Sequence, residues 1–344
     1  MEELKTVKDV KNFQVEKGRV FNSATHEEII GGATSDLYFV RTRELLTHAG
    51  RERTSVVAEI FTTRSGILCG TEEAARLLRG KNISLWAVPE GEEVESKDVV
   101  MRLDGPYDEF AMYETALLGI LASSSGWATA AWECKKAAGG KPIFCFGARH
   151  LHPAVAPVME RASIIGGADD CSCILGAKLL GREPIGTVPH AAVLIMGDTV
   201  KTAVLYDQVM PEGSPRIILV DTFKDEAEET LRVAEALGAR LDGVRLDTPG
   251  ERGGVTPGLV TEVRARLDQK GFSHVKILVS GGINPERIAL LSEAGADSFG
   301  VGSYISAAHP LDMTMDLKEI EGQSLAKRGR IPGITPSTRL VRCN

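Results

Sequence analysis

From residue 141 onward, the chain alternates short apolar runs with stretches of helical spacing. Runs rich in β-branched and aliphatic residues predict strands at 142–146, 162–165, 184–188, 216–220, 242–246, 276–280 and 298–301. Between the later runs, residues 226–237 and 257–268 form amphipathic patterns, and Pro285 stands in the first turn of a further helix. These repeated β-α units predict an α/β protein with an irregular, roughly seven-stranded (β/α) barrel.

The first 140 residues lack this regular alternation. Residues 55–61 and 84–88 are β-like, residues 72–78 are helical, and residues 109–138 show helical spacing with a break predicted at 123–126. The sequence therefore predicts a smaller N-terminal α/β domain (1–110), connecting helices (111–140), the barrel domain (141–308) and a C-terminal segment (309–344) that packs back on the N-terminal domain.

Composition excludes several broad classes of protein. The 344 residues are 43% hydrophobic and 25% charged, and a net charge of −7 gives no reason to expect nucleic-acid binding. The N-terminal segment is charged and lacks the apolar core of a signal peptide. The apolar runs are also too short to span a membrane. Both features predict a cytoplasmic protein. The six cysteines form no CxxC pair, so neither a zinc site nor a disulfide framework is expected.

Candidate chemistry follows the first predicted strand of the barrel, because (β/α) barrels carry their active sites at the carboxyl ends of the strands. Phe146, Arg149 and His150 lie there. The arginine can bind a phosphate or a carboxylate through two parallel hydrogen bonds, and a solvated loop is an equally good interpretation. The spacing of His150 and His152 suits a metal, but a third ligand is not obvious nearby.

The next two strand ends admit ordinary structural explanations. Ser172 follows a Gly-Gly-Ala-Asp-Asp segment that suits either an anion held near helix N–H groups or a plain helix cap. His190 ends the segment Gly-Thr-Val-Pro-His and is either a catalytic or pyrophosphate-contacting group or a histidine of the core.

Arg245 and Asp247 give a stronger indication of a site. Alternate residues of a strand share one face, so these two side chains point the same way. Charged side chains inside a barrel need a ligand or a partner, and a structural salt bridge between them is the competing interpretation.

Glycines end the last two predicted strands, at Gly281 and Gly282 and again at Gly302, which precedes Ser303. Such loops expose backbone N–H groups, and a pair of them forms the recurrent phosphate site of these barrels. Together with the basic residues, they predict a phosphosugar ligand that carries a second anionic group.

These motifs, in this order, resemble those of the nicotinate phosphoribosyltransferase family, within the type II phosphoribosyltransferases. The stretches that carry the resemblance are FGARHLHP, IIGGADDCSCILGAKLLG, GTVPHA, RLDTPG, SGGIN and GVGSY. The family fold is an N-terminal α/β domain followed by an irregular barrel. The resemblance implies transfer of the ribose of phosphoribosyl pyrophosphate (PRPP) to nicotinate, with release of pyrophosphate, in NAD biosynthesis or salvage.

The resemblance also implies roles for individual residues. Ser172 matches the position that reads the carboxyl or amide group, where serine favours the acid because it carries no opposing charge and can donate a hydrogen bond. The resemblance also implies that Phe146 stacks on the pyridine ring, that Arg149 and His150 contact the pyrophosphate and the base, and that Arg245 contacts the base or a phosphate. It implies further that Asp247 binds the ribose hydroxyls. The 5′-phosphate would be bound by Gly281, Gly282, Gly302 and Ser303.

Assembly and cofactors follow from the same resemblance. The segment containing Tyr38 resembles an element whose tyrosine covers the ring from a partner subunit, which implies at least a homodimer with shared sites. His190 matches a histidine that ATP phosphorylates in members that couple ATP hydrolysis to the reaction. Mg²⁺ is expected with the pyrophosphate of PRPP. Some relatives end in a cysteine-rich metal module, whereas Cys343 alone remains here, so no zinc is expected.

In this scheme the catalytic residues are Asp247, Arg245 and His190, and the rest bind substrate. Two alternatives remain open. One is a quinolinate phosphoribosyltransferase, which also decarboxylates its substrate; it needs a denser basic set than the segment after the first barrel strand provides. The other is a non-catalytic, phosphosugar-binding barrel, which would not need Phe146, Arg245 and Asp247.

Overall fold

The computed structural model describes residues 3–344. Its helices are α1 (Val7–Asn12), α2 (His26–Ile30), α3 (Leu37–His48), α4 (Thr71–Leu77), α5 (Glu114–Ala137), α6 (Ala156–Ile165), α7 (Ile174–Lys178), α8 (His190–Met196), α9 (Thr199–Val209), α10 (Glu226–Leu237), α11 (Pro257–Gln269), α12 (Pro285–Glu293) and α13 (Ser303–Ser306). Its strands are β1 (Ser55–Thr62), β2 (Gly66–Ile67), β3 (Ser84–Ala87), β4 (Glu93–Val94), β5 (Val99–Pro106), β6 (Ile143–Cys145), β7 (Asp170–Cys171), β8 (Ile217–Leu219), β9 (Gly243–Leu246), β10 (Lys276–Val279), β11 (Ser298–Val301), β12 (Met313–Ile320), β13 (Gln323–Ser324) and β14 (Val341–Arg342).

The chain divides into two compact units. Unit 1 combines residues 1–129 with 309–344, and unit 2 is the continuous stretch 130–308. None of the helices in residues 3–344 is long and apolar enough to cross a membrane.

Unit 1 is built on an antiparallel sheet with the strand order β13-β12-β1-β5-β3-β14. Strand β1 pairs on one side with β5 and on the other with β12, so the C-terminal segment supplies part of this sheet. The strands at 55–61 and 84–88 and the helix at 72–78 are confirmed. Ile60, Leu103 and Leu117 are fully buried in one core, where the inward face of the sheet meets α5.

The break predicted at 123–126 is wrong, because α5 runs through it without interruption. A glycine is needed at position 126 because a Cβ atom there would overlap the carbonyl oxygen of His309, where the chain returns to unit 1. The glycine permits close packing within the helix and does not end it.

Unit 2 is an open half-barrel, not the roughly seven-stranded barrel predicted from the sequence. Within the described chain its parallel sheet has six strands in the order β7-β6-β11-β10-β9-β8. The run at 162–165 lies inside α6, and the run at 184–188 forms no strand. Strand β7 was missed, because it is two residues long and begins with an aspartate. The predicted strands that became β6 and β8 to β11, and the helices now called α10, α11 and α12, are confirmed.

Candidate active site

The carboxyl ends of the parallel strands of unit 2 surround a cavity of about 350 Å³, a size that suits a small ligand. Parallel strands end at the same edge of a sheet, so loops distant in sequence meet there. The cavity is lined by Phe146, Arg149, His150, Ser172, Gly186, Thr187, Pro189, Arg245, Asp247, Ser280, Gly281, Gly282, Gly300, Gly302 and Ser303. Most of the residues predicted from the strand ends therefore lie together.

Arg245 is the centre of a hydrogen-bond network on the wall of this cavity. Its guanidinium group donates from Nε to Ser280 Oγ (2.8 Å), from Nη1 to Thr187 Oγ1 (3.0 Å) and from Nη2 to Asp247 Oδ2 (2.9 Å). Ser280 Oγ in turn donates to Asp247 Oδ1 at 2.7 Å. Both members of the ion pair are half-buried, so their charges are only partly screened by water. The predicted pair thus exists: Arg245 lies on β9, Asp247 directly follows this strand, and both side chains line the cavity.

Phe146 places an aromatic face beside this network. The guanidinium carbon of Arg245 lies 5.6 Å from the ring centroid, within the range of a cation–π interaction. Gly300 makes room for the ring, because a Cβ atom at this position would overlap Cε2 of Phe146. A flat, apolar ligand could stack on the ring while its polar groups reach Arg245.

The glycine loops after β10 and β11 approach the same wall. Gly281 and Gly282 have φ angles of +85° and +61°, which side chains rarely adopt. A Cβ atom at Gly281 would lie 3.3 Å from Asp247 Oδ1, and one at Gly302 would lie 3.2 Å from His150 Nε2. The backbone can therefore come close to a ligand here, and Ser303 begins the short helix α13 at the same edge.

Arg149 and His150 lie in a single 3₁₀ turn after β6, and both side chains are exposed. An exposed guanidinium group at the mouth of a cavity can bind an anionic group of the substrate, because no buried interaction has to be broken first. Among residues 3–344, no cluster of three or more His, Cys, Asp or Glu side chains could hold a metal ion, so no third ligand joins His150 and His152.

Ser172 follows β7 and contacts a residue that the sequence reasoning did not single out. Its hydroxyl donates to Oε1 of Glu160 at 3.2 Å, and Glu160 is fully buried in α6. The same carboxylate accepts from the backbone N–H groups of Ala148 (3.0 Å) and Cys173. One buried charge thus joins the loop after β6 to the loop after β7. A glutamate inside an apolar helical stretch is the sequence feature that could have indicated it.

Two thiols near Glu160 are unsuited to nucleophilic catalysis. Burial raises the pKa of Cys145 to about 12, and burial followed by the Glu160 charge raises the pKa of Cys171 as well. Since the thiolate is the reactive form, these side chains are packing residues of the sheet.

His190 begins α8, next to the cavity-lining Pro189, and its Nε2 atom is hydrogen-bonded to Oδ2 of Asp221 at 3.0 Å. Asp221 is the second residue after β8, and its side chain is almost fully buried. Burial raises the pKa of this carboxyl, the hydrogen bond from His190 opposes the shift, and the charge of Asp247 adds to it. The sequence reasoning missed Asp221, although it stands at a predicted strand end like the residues that were selected.

Tyr38 belongs to unit 1. It is the second residue of α3, and its side chain is 54% exposed. Asp36, two residues before it, accepts a hydrogen bond from Thr115 Oγ1 at 3.0 Å, which fixes this segment within unit 1. Tyr38 is not among the residues that line the cavity of unit 2.

Comparison with protein-family models matches most of the chain. Residues 36–125 match the N-terminal domain of quinolinate phosphoribosyl transferase, and residues 127–316 match its C-terminal domain.

Individual relatives carry two kinds of name. A nicotinate phosphoribosyltransferase of Mycobacterium tuberculosis is 31% identical over 283 residues, which is 79% of this chain and 59% of the relative. The chain thus spans less than two thirds of that protein. A probable nicotinate-nucleotide pyrophosphorylase (carboxylating) of Methanothermobacter thermautotrophicus is 24% identical over 292 residues, 81% of this chain and 94% of the relative. The crystal structure of nicotinate-nucleotide pyrophosphorylase from Pyrococcus furiosus has 44% identity and a TM-score of 0.88, with 92% of this chain and 82% of that chain covered.

Proposed function

Because the chain belongs to the quinolinate phosphoribosyl transferase family of type II phosphoribosyltransferases, we propose that it is a nicotinate phosphoribosyltransferase of NAD biosynthesis. It would join the ring nitrogen of nicotinate to the anomeric carbon of PRPP and release pyrophosphate. The bond to the leaving oxygen breaks as the carbon–nitrogen bond forms, so the sugar passes through a state with oxocarbenium character.

One observation carries this proposal: the Arg245–Asp247 pair and the Phe146 ring face one cavity beside two glycine loops. A ring-stacking face, a carboxylate and a phosphate-binding backbone are what a pyridine and a ribose phosphate need together. A binding protein for phosphosugars would need the loops and not the aromatic face with its charged neighbours.

The chemistry is mainly positioning and charge stabilisation. Asp247 would hold the ribose hydroxyls and offset the positive charge that develops on the sugar. Gly281, Gly282, Gly302 and Ser303 would bind the 5′-phosphate through backbone N–H groups and the serine hydroxyl.

Arg149 and His150 would contact the pyrophosphate, whose negative charge grows as it leaves. Mg²⁺ keeps several waters and binds substrate phosphates readily, so we assign it to the pyrophosphate of PRPP, where it would neutralise that charge.

ATP coupling would act through His190. The buried Asp221 holds its Nε2 atom, which leaves Nδ1 as the nitrogen able to accept a phosphoryl group. The proposal includes ATP as a second substrate on this basis.

Assembly completes the proposed site. We place the exposed Tyr38 of one subunit over the open face of the pyridine in another, so that the ring lies between two aromatic faces. The active unit is then at least a homodimer with shared sites.

Quinolinate phosphoribosyltransferase is the second candidate. The carboxylating name of the Methanothermobacter thermautotrophicus relative favours it, as does the coverage of 94% of that protein. Quinolinate carries two carboxylates, and the cavity offers Arg149, His150 and Arg245 as its basic residues. The neutral Ser172 and the single guanidinium group in the inner network favour a pyridine with one carboxylate.

The deciding experiment supplies PRPP with nicotinate, nicotinamide or quinolinate in turn, with and without ATP. We expect stoichiometric pyrophosphate and nicotinate mononucleotide from nicotinate. Release of CO₂ with quinolinate, without turnover of nicotinate, would identify the second candidate instead. Absence of pyrophosphate with every pyridine would exclude both.

A further inference from the structure

Glu160, in the second turn of α6, is hydrogen-bonded to the loops after β6 and β7. Its Oε1 atom accepts from the backbone N–H of Ala148 (3.0 Å) and from the hydroxyl of Ser172 (3.2 Å), and its Oε2 atom accepts from the backbone N–H of Cys173. The side chain is fully buried, so water cannot replace a donor that is lost. The carboxylate is therefore a fixed link between the two loops.

Both loops also pack closely on the same turn of α6. A Cβ atom at Gly147, in the loop after β6, would lie 2.7 Å from Cε of Met159. A Cβ atom at Gly176, near the start of α7, would lie 3.1 Å from Cβ of Glu160. The two glycines thus let the backbone come within reach of the carboxylate, and α6 is the common support of both loops.

A buried carboxylate is a costly way to pack a helix. Removing a charge from water is tolerated only where hydrogen bonds replace the lost hydration, and an apolar side chain would fill the same space without that requirement. Two oxygens that both accept are, however, what joins N–H donors on two separate loops. An amide could satisfy only one of the two N–H groups, because its other end is itself a donor.

We propose that Glu160 is a positioning residue that couples the two loops, so that a ligand bound by one loop orders the other. Arg149 and His150 share a single turn with Ala148, whereas Ser172 is bonded to Glu160 directly. Pyrophosphate bound at this turn would fix Ala148 and, through the carboxylate, Ser172. The inference rests on the proposed phosphoribosyl transfer and deepens it, because the phosphate and pyridine ligands would then each raise the affinity for the other by the same factor.

The test compares Glu160→Gln with Glu229→Gln, which changes an equally buried glutamate of α10 that does not line the cavity. Calorimetry measures the affinity for nicotinate with and without saturating pyrophosphate and Mg²⁺, a pair of ligands that cannot react. We expect pyrophosphate to raise the affinity of the native protein about tenfold and that of Glu160→Gln by less than about twofold. Glu229→Gln should keep the native coupling even where it lowers stability.

Steady-state kinetics give a second readout. With both substrates saturating, Glu160→Gln should lose about tenfold or more in kcat while the KM for each substrate changes less, because both subsites persist and only their relative position is lost. Glu160→Asp keeps the charge on a side chain one methylene shorter, which cannot reach both loops, so it should lose the coupling as well. It decides the question if Glu160→Gln does not fold.

Coupling that persists in a folded Glu160 variant overturns the inference, as does an equal loss in Glu229→Gln. A native protein whose affinity for nicotinate does not respond to pyrophosphate overturns it too. Failure of the proposed function looks different, because the native protein then forms no nicotinate mononucleotide. If quinolinate is the substrate, the same titrations with quinolinate decide.

Hydrogen exchange tests the link without any pyridine. Pyrophosphate alone should slow amide exchange at residues 171–175 in the native protein and not in Glu160→Gln, since the signal must pass through the carboxylate. This comparison decides if the protein binds none of the pyridines. Exchange at 171–175 that does not respond in the native protein, or that responds equally in both proteins, would then overturn the inference.

Discussion

Asp221 Oδ2 lies 3.0 Å from Nε2 of His190, while Asp221 Oδ1 is buried without a hydrogen-bond partner in the described part of the chain. The carboxylate is almost fully buried and the histidine is 40% exposed. An acceptor at Nε2 places the imidazole hydrogen there, so Nδ1 presents a lone pair outward. The hydrogen bond to Asp221 therefore orients the imidazole ring of His190 and selects the tautomer that carries its hydrogen on Nε2.

We therefore predict that Asp221→Asn weakens ATP coupling. An amide can hold either tautomer, so the stimulation of nicotinate mononucleotide formation by ATP should fall by about tenfold or more. Product formation with and without ATP measures this, together with acid-labile phosphate on the protein. Asp268→Asn, at an exposed aspartate of α11, is the matched control. Native stimulation in Asp221→Asn would contradict the prediction.

Asp247→Ala should nearly abolish turnover in a folded protein. The variant removes the partner of Arg245 and the acceptor of Ser280, and with them a contact that strengthens as the sugar gains positive charge. Losing such a contact costs about 3 kcal/mol, or on the order of a hundredfold in kcat. Pyrophosphate release and circular dichroism, compared with Asp268→Ala, measure rate and folding. Near-native release from folded Asp247→Ala would remove Asp247 from the mechanism.

Native protein should prefer nicotinate to nicotinamide, and Ser172→Asp should weaken the use of nicotinate. The new carboxylate would stand beside Glu160 and close to the substrate carboxylate, and like charges repel strongly where water is scarce. The ratio of kcat/KM for the two pyridines should shift toward nicotinamide. Ser172→Asn has the same shape without the charge and separates electrostatics from size. Equal ratios in the two variants would refute the charge argument.

The Tyr38→Ala variant should stay folded and oligomeric but bind nicotinate poorly, because one of the two proposed aromatic faces is gone. Mixing and exchanging inactive Tyr38→Ala with inactive Asp247→Ala subunits should restore part of the activity, since a hybrid dimer rebuilds one intact site. Leu45→Ala removes another exposed side chain of α3 and serves as the control. Hybrids that form without any recovery would show that each site comes from one chain.

Glu114, at the start of α5, should make stability depend on pH. Burial raises the pKa of its carboxyl from 4.5 to about 7, the Asp316 charge adds to the shift, and Lys327 opposes it. At pH values between 4.5 and about 7, the folded state binds more protons than the unfolded state, so the free energy of unfolding falls as the pH rises. The cost at pH 8 is at most on the order of 3 kcal/mol, because the carboxyl is partly exposed and solvent screens it.

Glu114→Gln removes this cost, because an amide needs no proton to stay neutral. The variant should gain stability relative to the native protein at pH 8 and not at pH 4.5, as measured by urea unfolding at both values. Glu72→Gln changes an exposed carboxylate paired with Arg76 and is the control. An equal effect of Glu114→Gln at both pH values would contradict the raised pKa.

The sequence predicted five of the six strands of the unit 2 sheet, and its errors there have a physical reason. Apolar runs at β8 to β11 are bounded by glycine and polar residues, which makes strands easy to recognise. The run at 162–165 has the same composition but belongs to the buried face of α6, and short apolar runs do not separate these cases. Strand β7 is set by pairing with β6, which no local pattern contains.

The strand-end rule located Arg245 and Asp247 because they alternate along one strand. Applied equally, it would have included Asp221, which follows β8. Glu160 was beyond this rule, since its importance comes from three contacts with loops that only the fold brings to α6. Contacts between residues that only folding brings together cannot be predicted from a local sequence pattern.

The pairing of β1 with β12 has a consequence for the synthesis of this chain on the ribosome. As the ribosome makes the chain from its N-terminus, unit 2 has all its strands once residue 301 has emerged, whereas β1 still lacks its partner at 313–320. Non-local pairings of this length form slowly. A nascent chain stalled before residue 313 would expose the edge of β1 to other chains, so the moment of greatest aggregation risk comes late in translation.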